Sequence, residues 1–343
     1  MLCASKARPR ATHRSTTGAL PECHTVRTPV RNSVRAREAS ENRPMSGNRT
    51  LWGRGAVVVG ATSGIGYAVA HALAGHGAGV VVNGRNAPAV ERTVNSLALA
   101  GHRAVGVTGS AADETTATEL VDTCVRTFGA VDVLVNCAGI AEPAGSSILD
   151  ISTRDWRALL DSHLTTTFNT CRAAAPKMVA QGRGSIINTS SFAYLGDYGG
   201  TGYAAGKGAV NSLTLAIAAE LAEHKVRANV VCPGAKTRLS SGIAYEAKIM
   251  ELYRRGMLDE ISKDAALDAP PADYVAQLYL YLAGSAAEQV TGQIFVAAGG
   301  FVGRYDRPAP SILGFRDHND TPPWTQDELH RMIGGRDTEA GSK

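Results

Sequence analysis

From residue 55 the chain alternates short, β-branched apolar runs with longer amphipathic stretches, and this alternation restricts its possible folds more than any other feature. AVVVG (56–60), GVVVN (79–83), RAVGV (103–107), VDVLVN (131–136), SIINTS (185–190) and VRANVV (226–231) each precede a longer stretch, most with helical spacing. A helix near 271–284 and a last strand, QIFVA (293–297), close the series. Strands that read as continuous apolar runs are buried on both faces, and strand–helix alternation makes them parallel. Right-handed crossovers then wind the sheet outward in both directions. The expected fold is α/β: a single-domain, doubly wound sheet of about seven parallel strands over residues 51–303, with helices on both faces.

The flanks differ from this body. Residues 1–50 hold ten Lys and Arg against three Asp and Glu (+7), leaving 25 basic and 28 acidic residues beyond them (−3). The overall charge of +4 therefore comes from the N-terminal arm, and the body offers no surface suited to nucleic acid. RTPVRNSVRAREASENRP has no apolar period and is expected to be a disordered basic extension. Its Arg-rich, acid-poor composition is that of a transit peptide, but it has no amphipathic stripe, and Met45 just ahead of the first strand favours an extended start or a floppy arm. No apolar run approaches the ~18–20 residues that cross a bilayer, so no membrane partner is expected. The six cysteines (3, 23, 124, 137, 171 and 232) show neither C-x-x-C spacing nor nearby histidines. No metal site or disulfide framework is expected, and a reducing, cytoplasmic location fits. Residues 304–343 turn proline-rich before TQDELHRMIG, where Thr325 and Glu328 have capping-box spacing for a short helix. Ile312, Leu313, Phe315 and Trp324 make this tail apolar enough to pack on the domain or on a partner subunit.

Chemistry enters at the first turn, VVVGATSGIG. Gly60, Thr62, Ser63, Gly64, Ile65 and Gly66 lie between a strand and a helix, where glycines let the backbone approach a pyrophosphate seated on the helix N-terminus. The turn lacks the Gly-Lys-Ser/Thr of a P-loop. The second strand ends in Gly84 and Arg85, where an NAD-selective site needs a carboxylate for the ribose hydroxyls. Losing the anion and adding a guanidinium favours NADP(H), with NAD(H) still possible. Further on, Tyr203 and Lys207 are four residues apart, which places them on one helix face. An ammonium ~4–5 Å from a phenol of pKa ~10 contributes up to roughly 4 kcal/mol at an effective dielectric of ~20, enough to bring the phenol toward neutrality. Ser190, thirteen residues before Tyr203, stands at a strand end and could bind a substrate carbonyl.

In this order GATSGIG, VNCAG (135–139), Ser190, YAAGK, CPG (232–234) and VTGQIFVAAGG (290–300) resemble the short-chain dehydrogenase/reductase family over about residues 51–303. The resemblance implies a Rossmann-like fold and hydride transfer between a nicotinamide and a small-molecule alcohol or carbonyl. Tyr203 would be the general acid/base, Lys207 would tune it and hold the nicotinamide ribose, and Ser190 would orient the substrate oxygen. Asn136, Ala138 and Gly139 would line the cofactor, and Pro233, Gly234 and Thr237 would lie beside the carboxamide. Family members form dimers or tetramers, so a homodimer or homotetramer is implied.

Three departures stand out. Ser110 replaces an Asp that the family often sets against adenine. The Ser190–Ser191 doublet leaves a one-residue ambiguity, with Ser190 preferred from its spacing to Tyr203. His163, in LLDSHLTTTFN, occupies the place of an Asn that holds a water on the catalytic lysine; alone it reads as core, but in register with Ser190, Tyr203 and Lys207 it becomes a fourth catalytic residue, titrating near pH ~6.5. That histidine, CPGAKTR and VAAGGFVGR are similar to the branch of the family holding (3R)-hydroxyacyl-CoA dehydrogenase domains of multifunctional β-oxidation enzymes. The reading is an NADP(H)-dependent ketoreductase; the alternatives are a 3-hydroxyacyl-thioester dehydrogenase and a catalytically silent nucleotide-binding scaffold.

Overall fold

The computed structural model describes residues 50–334. The expected basic extension lies outside them except for its last residue, as do Cys3, Cys23 and the end of the tail.

Seven parallel strands form as the apolar runs dictate: β1 (Gly55–Val59), β2 (Gly79–Gly84), β3 (Ala104–Thr108), β4 (Val133–Asn136), β5 (Gly184–Thr189), β6 (Val226–Gly234) and β7 (Ile294–Ala298). An eighth, β8 (Phe301–Tyr305), pairs antiparallel with β7 and ends the sheet, whose order is β3-β2-β1-β4-β5-β6-β7-β8. The sheet is thus one strand wider than expected, because Gly299 and Gly300 turn the chain back at once, with Ala298 opposite Phe301.

Helices α1 (Gly64–Gly75), α2 (Ala87–Leu99) and α3 (Glu114–Phe128) return the chain between β1, β2, β3 and β4. The stretch 153–181 is one helical run of three parts: α4 (Thr153–Leu160), a π-turn (Asp161–Thr165) and α5 (Thr166–Gln181). Then come α6 (Thr201–Glu220), α7 (Ile243–Arg254), α8 (Glu260–Leu267), α9 (Ala272–Ala283) and, in the tail, α10 (Gln326–Gly334). The valines of β1 and β2 alternate between two apolar cores. Val58 and Val80 pack with α1 and α9, whereas Val57 and Val81 pack with α3 and α5.

The two ends of the sheet differ in chemistry. At the amino ends Asp132 binds Arg54 and Arg183, each at 2.7 Å, and the Gly55 amide at 3.0 Å. This is a structural staple. At the carboxyl ends, β1 leads to a helix on one face and β4 to a helix on the other, which opens the crevice where such sheets bind ligands.

Within the tail, α10 starts with the expected capping box: the Thr325 amide donates to Glu328 Oε2 at 2.7 Å, and the Glu328 amide to Thr325 Oγ1 at 3.3 Å. Arg316 stacks on Trp324 at 3.5 Å and binds Glu328 at 2.8 Å. Ile312, Phe315 and Ile333 remain exposed.

Candidate active site

The glycine turn after β1 is built for close approach. Gly60 has φ +76°, and a Cβ there would lie 2.7 Å from the Ala138 amide nitrogen, so the turns after β1 and β4 touch backbone to backbone. At the start of α1 Ser63 makes no capping bond, and the first turn holds no acidic residue. An anion therefore suits the helix N-terminus beside Thr62, Gly64, Ile65 and Gly66. Across the crevice stands Thr237; a Cβ on Gly64 would be 3.3 Å from its methyl group. Pro233 and Gly234 end β6 opposite Ala297 and Ala298.

At the end of β2 a Cβ on Gly84 would lie 2.5 Å from the Thr62 methyl, which leaves no room for a carboxylate side chain there. Arg85 follows, exposed to solvent. Ser110 is also exposed, and its carbonyl accepts the Asp113 amide at 2.9 Å. These residues fit a dinucleotide, with the exposed Arg85 following the end of β2.

Asn136 differs from expectation. Its side chain is 3% exposed and turned into the sheet, donating to Asn188 Oδ1 at 2.9 Å and accepting from Thr170 at 2.8 Å. Asn188 donates in turn to Thr214 at 2.9 Å. This buried polar chain ties β4 and β5 to α5 and α6. Ala138 and Gly139, next along, are the residues that reach the crevice.

The catalytic candidates converge on α6. Tyr203 and Lys207 share one face, and the Lys207 ammonium lies 5.7 Å from the Tyr203 ring centroid. Lys207 is 4% exposed and donates to the Thr189 carbonyl at 3.0 Å; burial lowers its pKa to about 8, against smaller opposing effects of Cys137 and Cys232. The Tyr203 phenol is raised by burial, with a bond to Ser191 pulling the other way and Cys232 adding to the rise. The expected lowering of this phenol by Lys207 is thus not what the geometry gives: the lysine reaches past it to Thr189.

Ser190 and Ser191 exchange roles relative to expectation. Ser190 is 3% exposed, and its hydroxyl donates to the Lys207 carbonyl at 3.1 Å, inside the fold. Ser191 faces the Tyr203 phenol, whose pKa it lowers against burial, and receives the Ala193 amide at 3.2 Å. Consecutive residues of an extended chain face opposite ways, so only one of the pair can meet the tyrosine. That one is Ser191.

His163 sits in the π-turn, a widening of the helix found often at functional sites. It is 1% exposed and lies edge-on to Tyr203, ring centroids 5.0 Å apart. Its Nε2 is 3.0 Å from the Ile140 carbonyl, which can only accept, so Nε2 carries the hydrogen and Nδ1 is a buried acceptor with no partner. Burial, then the Lys207 charge, pushes its pKa down to about 2, with the Ile140 bond opposing. His163 therefore belongs to the site but stays neutral, contrary to the expected titration near neutrality. Gly139 is small of necessity: a Cβ there would stand 3.1 Å from His163 Nδ1 and 3.7 Å from Lys207 Nζ.

Sequence reasoning missed Glu142. Its carboxylate, 8% exposed, accepts the Gly202 amide at 3.2 Å and the Tyr203 amide at 2.6 Å. It also missed the tyrosines around the site. Tyr198 lies near Tyr203, Tyr245 and Tyr305, its phenol raised chiefly by burial, and Tyr305 stands edge-on to Tyr194 at 5.3 Å. Tyr245 joins this group from α7, whereas Met250, Tyr253 and Met257 are each more than one-third exposed, and Lys263 lies 4.6 Å over the Tyr253 ring.

The short chain dehydrogenase family model matches residues 54–244. Short-chain reductase protein NovJ of Streptomyces niveus is 41% identical over 179 residues, which cover 52% of this chain and 68% of NovJ. Hydroxyacyl-CoA dehydrogenase ChsB1 of Mycobacterium tuberculosis is 33% identical over 319 residues, covering 88% of this chain and 95% of ChsB1. A solved short chain dehydrogenase from Mycobacterium avium has TM-score 0.69 and 32% identity, covering 83% of this chain and 95% of that one. The chain belongs to the short-chain dehydrogenase/reductase family, oxidoreductases that act on alcohol and carbonyl groups with NAD(H) or NADP(H).

Proposed function

We propose that this enzyme is an NADP(H)-dependent ketoreductase in which Tyr203 is the general acid/base. The observation that carries the reading is the convergence of Tyr203, Ser191, Lys207 and His163 beside the glycine turn. A dinucleotide held by the glycine turn after β1 would supply or accept the hydride. Tyr203 Oη gives its proton to the developing alkoxide, and the Ser191 hydroxyl orients that oxygen. Lys207 supplies a cation behind the tyrosine, and His163 Nδ1 holds a water next to Lys207 along the route by which Tyr203 is reprotonated. Arg85 receives the 2′-phosphate, with Ser110 at the adenine side.

The test is a panel of ketones and secondary alcohols run with NADPH and NADH in parallel, on wild type and Arg85→Asp. Wild type should prefer NADPH, and the variant should lose that preference by ~1–3 kcal/mol of binding energy. Equal use of both cofactors by both proteins would refute the role of Arg85.

A second reading, a 3-hydroxyacyl-thioester dehydrogenase, is favoured by the likeness to hydroxyacyl-CoA dehydrogenase ChsB1 over 88% of this chain. Reduced nicotinamide formed from a hydroxyacyl-CoA, with no turnover of simple ketones, would decide for it. As to assembly, we infer a homodimer or homotetramer: Phe168 on α5 is 48% exposed, and Ile312 and Phe315 of the tail are 82% and 87% exposed, leaving apolar surface for a partner subunit. The free thiols of Cys124, Cys137, Cys171 and Cys232 agree with a reducing, cytoplasmic setting.

A further inference from the structure

Helix α6 begins without a cap of its own. Gly199 and Gly200 precede it at φ +94° and +92°, and Gly200, at the N-cap position, has no side chain to accept the first free amides. The acceptor comes instead from a loop 60 residues earlier: Glu142 takes one amide on each oxygen, Gly202 on Oε1 at 3.2 Å and Tyr203 on Oε2 at 2.6 Å. The carboxylate is buried against the glycines, since a Cβ on Gly200 would lie 2.6 Å from Glu142 Cδ. Ser146 Oγ adds a bond to Oε1 at 3.3 Å. Two residues before Glu142, the Ile140 carbonyl receives His163 Nε2. One short segment therefore grips both the helix that carries Tyr203 and the histidine beside it.

We propose that Glu142 is a positioning residue: it fixes the first turn of α6, and with it the Tyr203 side chain. The inference rests on the reading of Tyr203 as the acid/base. The first turn is the part of a helix most prone to fray, and a carboxylate there satisfies two amides while complementing the helix dipole. Tyr203 lies within that turn, so its hydroxyl is only as well placed as the cap.

Glu142→Ala, Glu142→Gln and Glu142→Asp weaken the cap to different degrees. Alanine removes both acceptors, glutamine keeps the reach and one acceptor but no charge, and aspartate keeps the charge but shortens the reach. In cofactor-free protein, exchange of the Gly202 and Tyr203 amides should quicken ~10-fold or more in the alanine variant and less in glutamine. With substrate, kcat should fall ~10- to 100-fold in alanine and less in glutamine, with cofactor affinity held. Wild-type exchange and wild-type kcat in the glutamine variant would overturn the proposal, even if the alanine variant failed to fold. Quickened exchange together with a fully active Tyr203→Phe enzyme would uphold the cap and reject the tyrosine's role instead.

Discussion

Lys207 carries a charge inside the fold, and removing it should stabilise the protein while abolishing catalysis. The side chain is 4% exposed, with one bond to a backbone carbonyl and no ion pair among the described residues. Burial takes its pKa from 10.5 to about 8, which costs the folded state ~3 kcal/mol while both folded and unfolded chains are protonated. Lys207→Met keeps the length of the side chain but leaves the Thr189 carbonyl without this donor, a loss of ~1 kcal/mol. The cofactor-free variant should therefore be more stable than wild type by ~2 kcal/mol at about pH 7. As pH rises from about 8 toward 10.5 the folded wild type sheds the proton before the unfolded chain does, so wild-type stability climbs. By about pH 9.5 the advantage of the variant should be gone. Urea unfolding of both proteins at the two pH values measures this directly. A methionine variant less stable than wild type by the same amount at both would show that the ammonium is compensated in the fold, and the argument would fail.

Other expected outcomes follow from the same geometry. Ser191→Ala should lower kcat by ~10- to 100-fold, because it removes the hydroxyl facing Tyr203, whereas Ser190→Ala should act mainly on stability; the reverse pattern would restore Ser190 to the site. His163 is neutral above its pKa of about 2, so the pH–rate profile should show no histidine break on the acid side, and His163→Asn should leave its shape unchanged. A break near pH ~6.5 that disappears in the asparagine variant would contradict the buried, uncharged state.

The parts of the fold visible in the sequence were those set by local pattern. Runs such as VVV (80–82) and VLV (133–135) are apolar at consecutive positions because both faces of an inner parallel strand are covered, and the seven parallel strands arose from such largely apolar runs. Strand β8 escaped because Phe301–Tyr305 is an edge strand with one glycine and two exposed apolar residues, although Gly299–Gly300 is itself a two-residue hairpin signal. Within the site, Tyr203 and Lys207 were readable from one helical interval. The serine was not, since choosing between neighbours needs the direction each faces, and counting residues to Tyr203 carries no such information. The protonation state of His163 depends on burial under Lys207 and on Ile140, contacts 44 and 23 residues distant in sequence. Glu142 left no mark at all, because a carboxylate that caps a helix from another loop has no fixed spacing from it.

The central claim is that Tyr203 exchanges the proton with the substrate oxygen. Tyr203→Phe deletes that hydroxyl and leaves the glycine turn, Lys207 and Arg85 intact. Turnover of a ketone substrate of the wild type should fall by ~10²- to 10⁴-fold, with NADPH affinity measured on the same sample unchanged. Wild-type turnover in the phenylalanine variant would contradict the account.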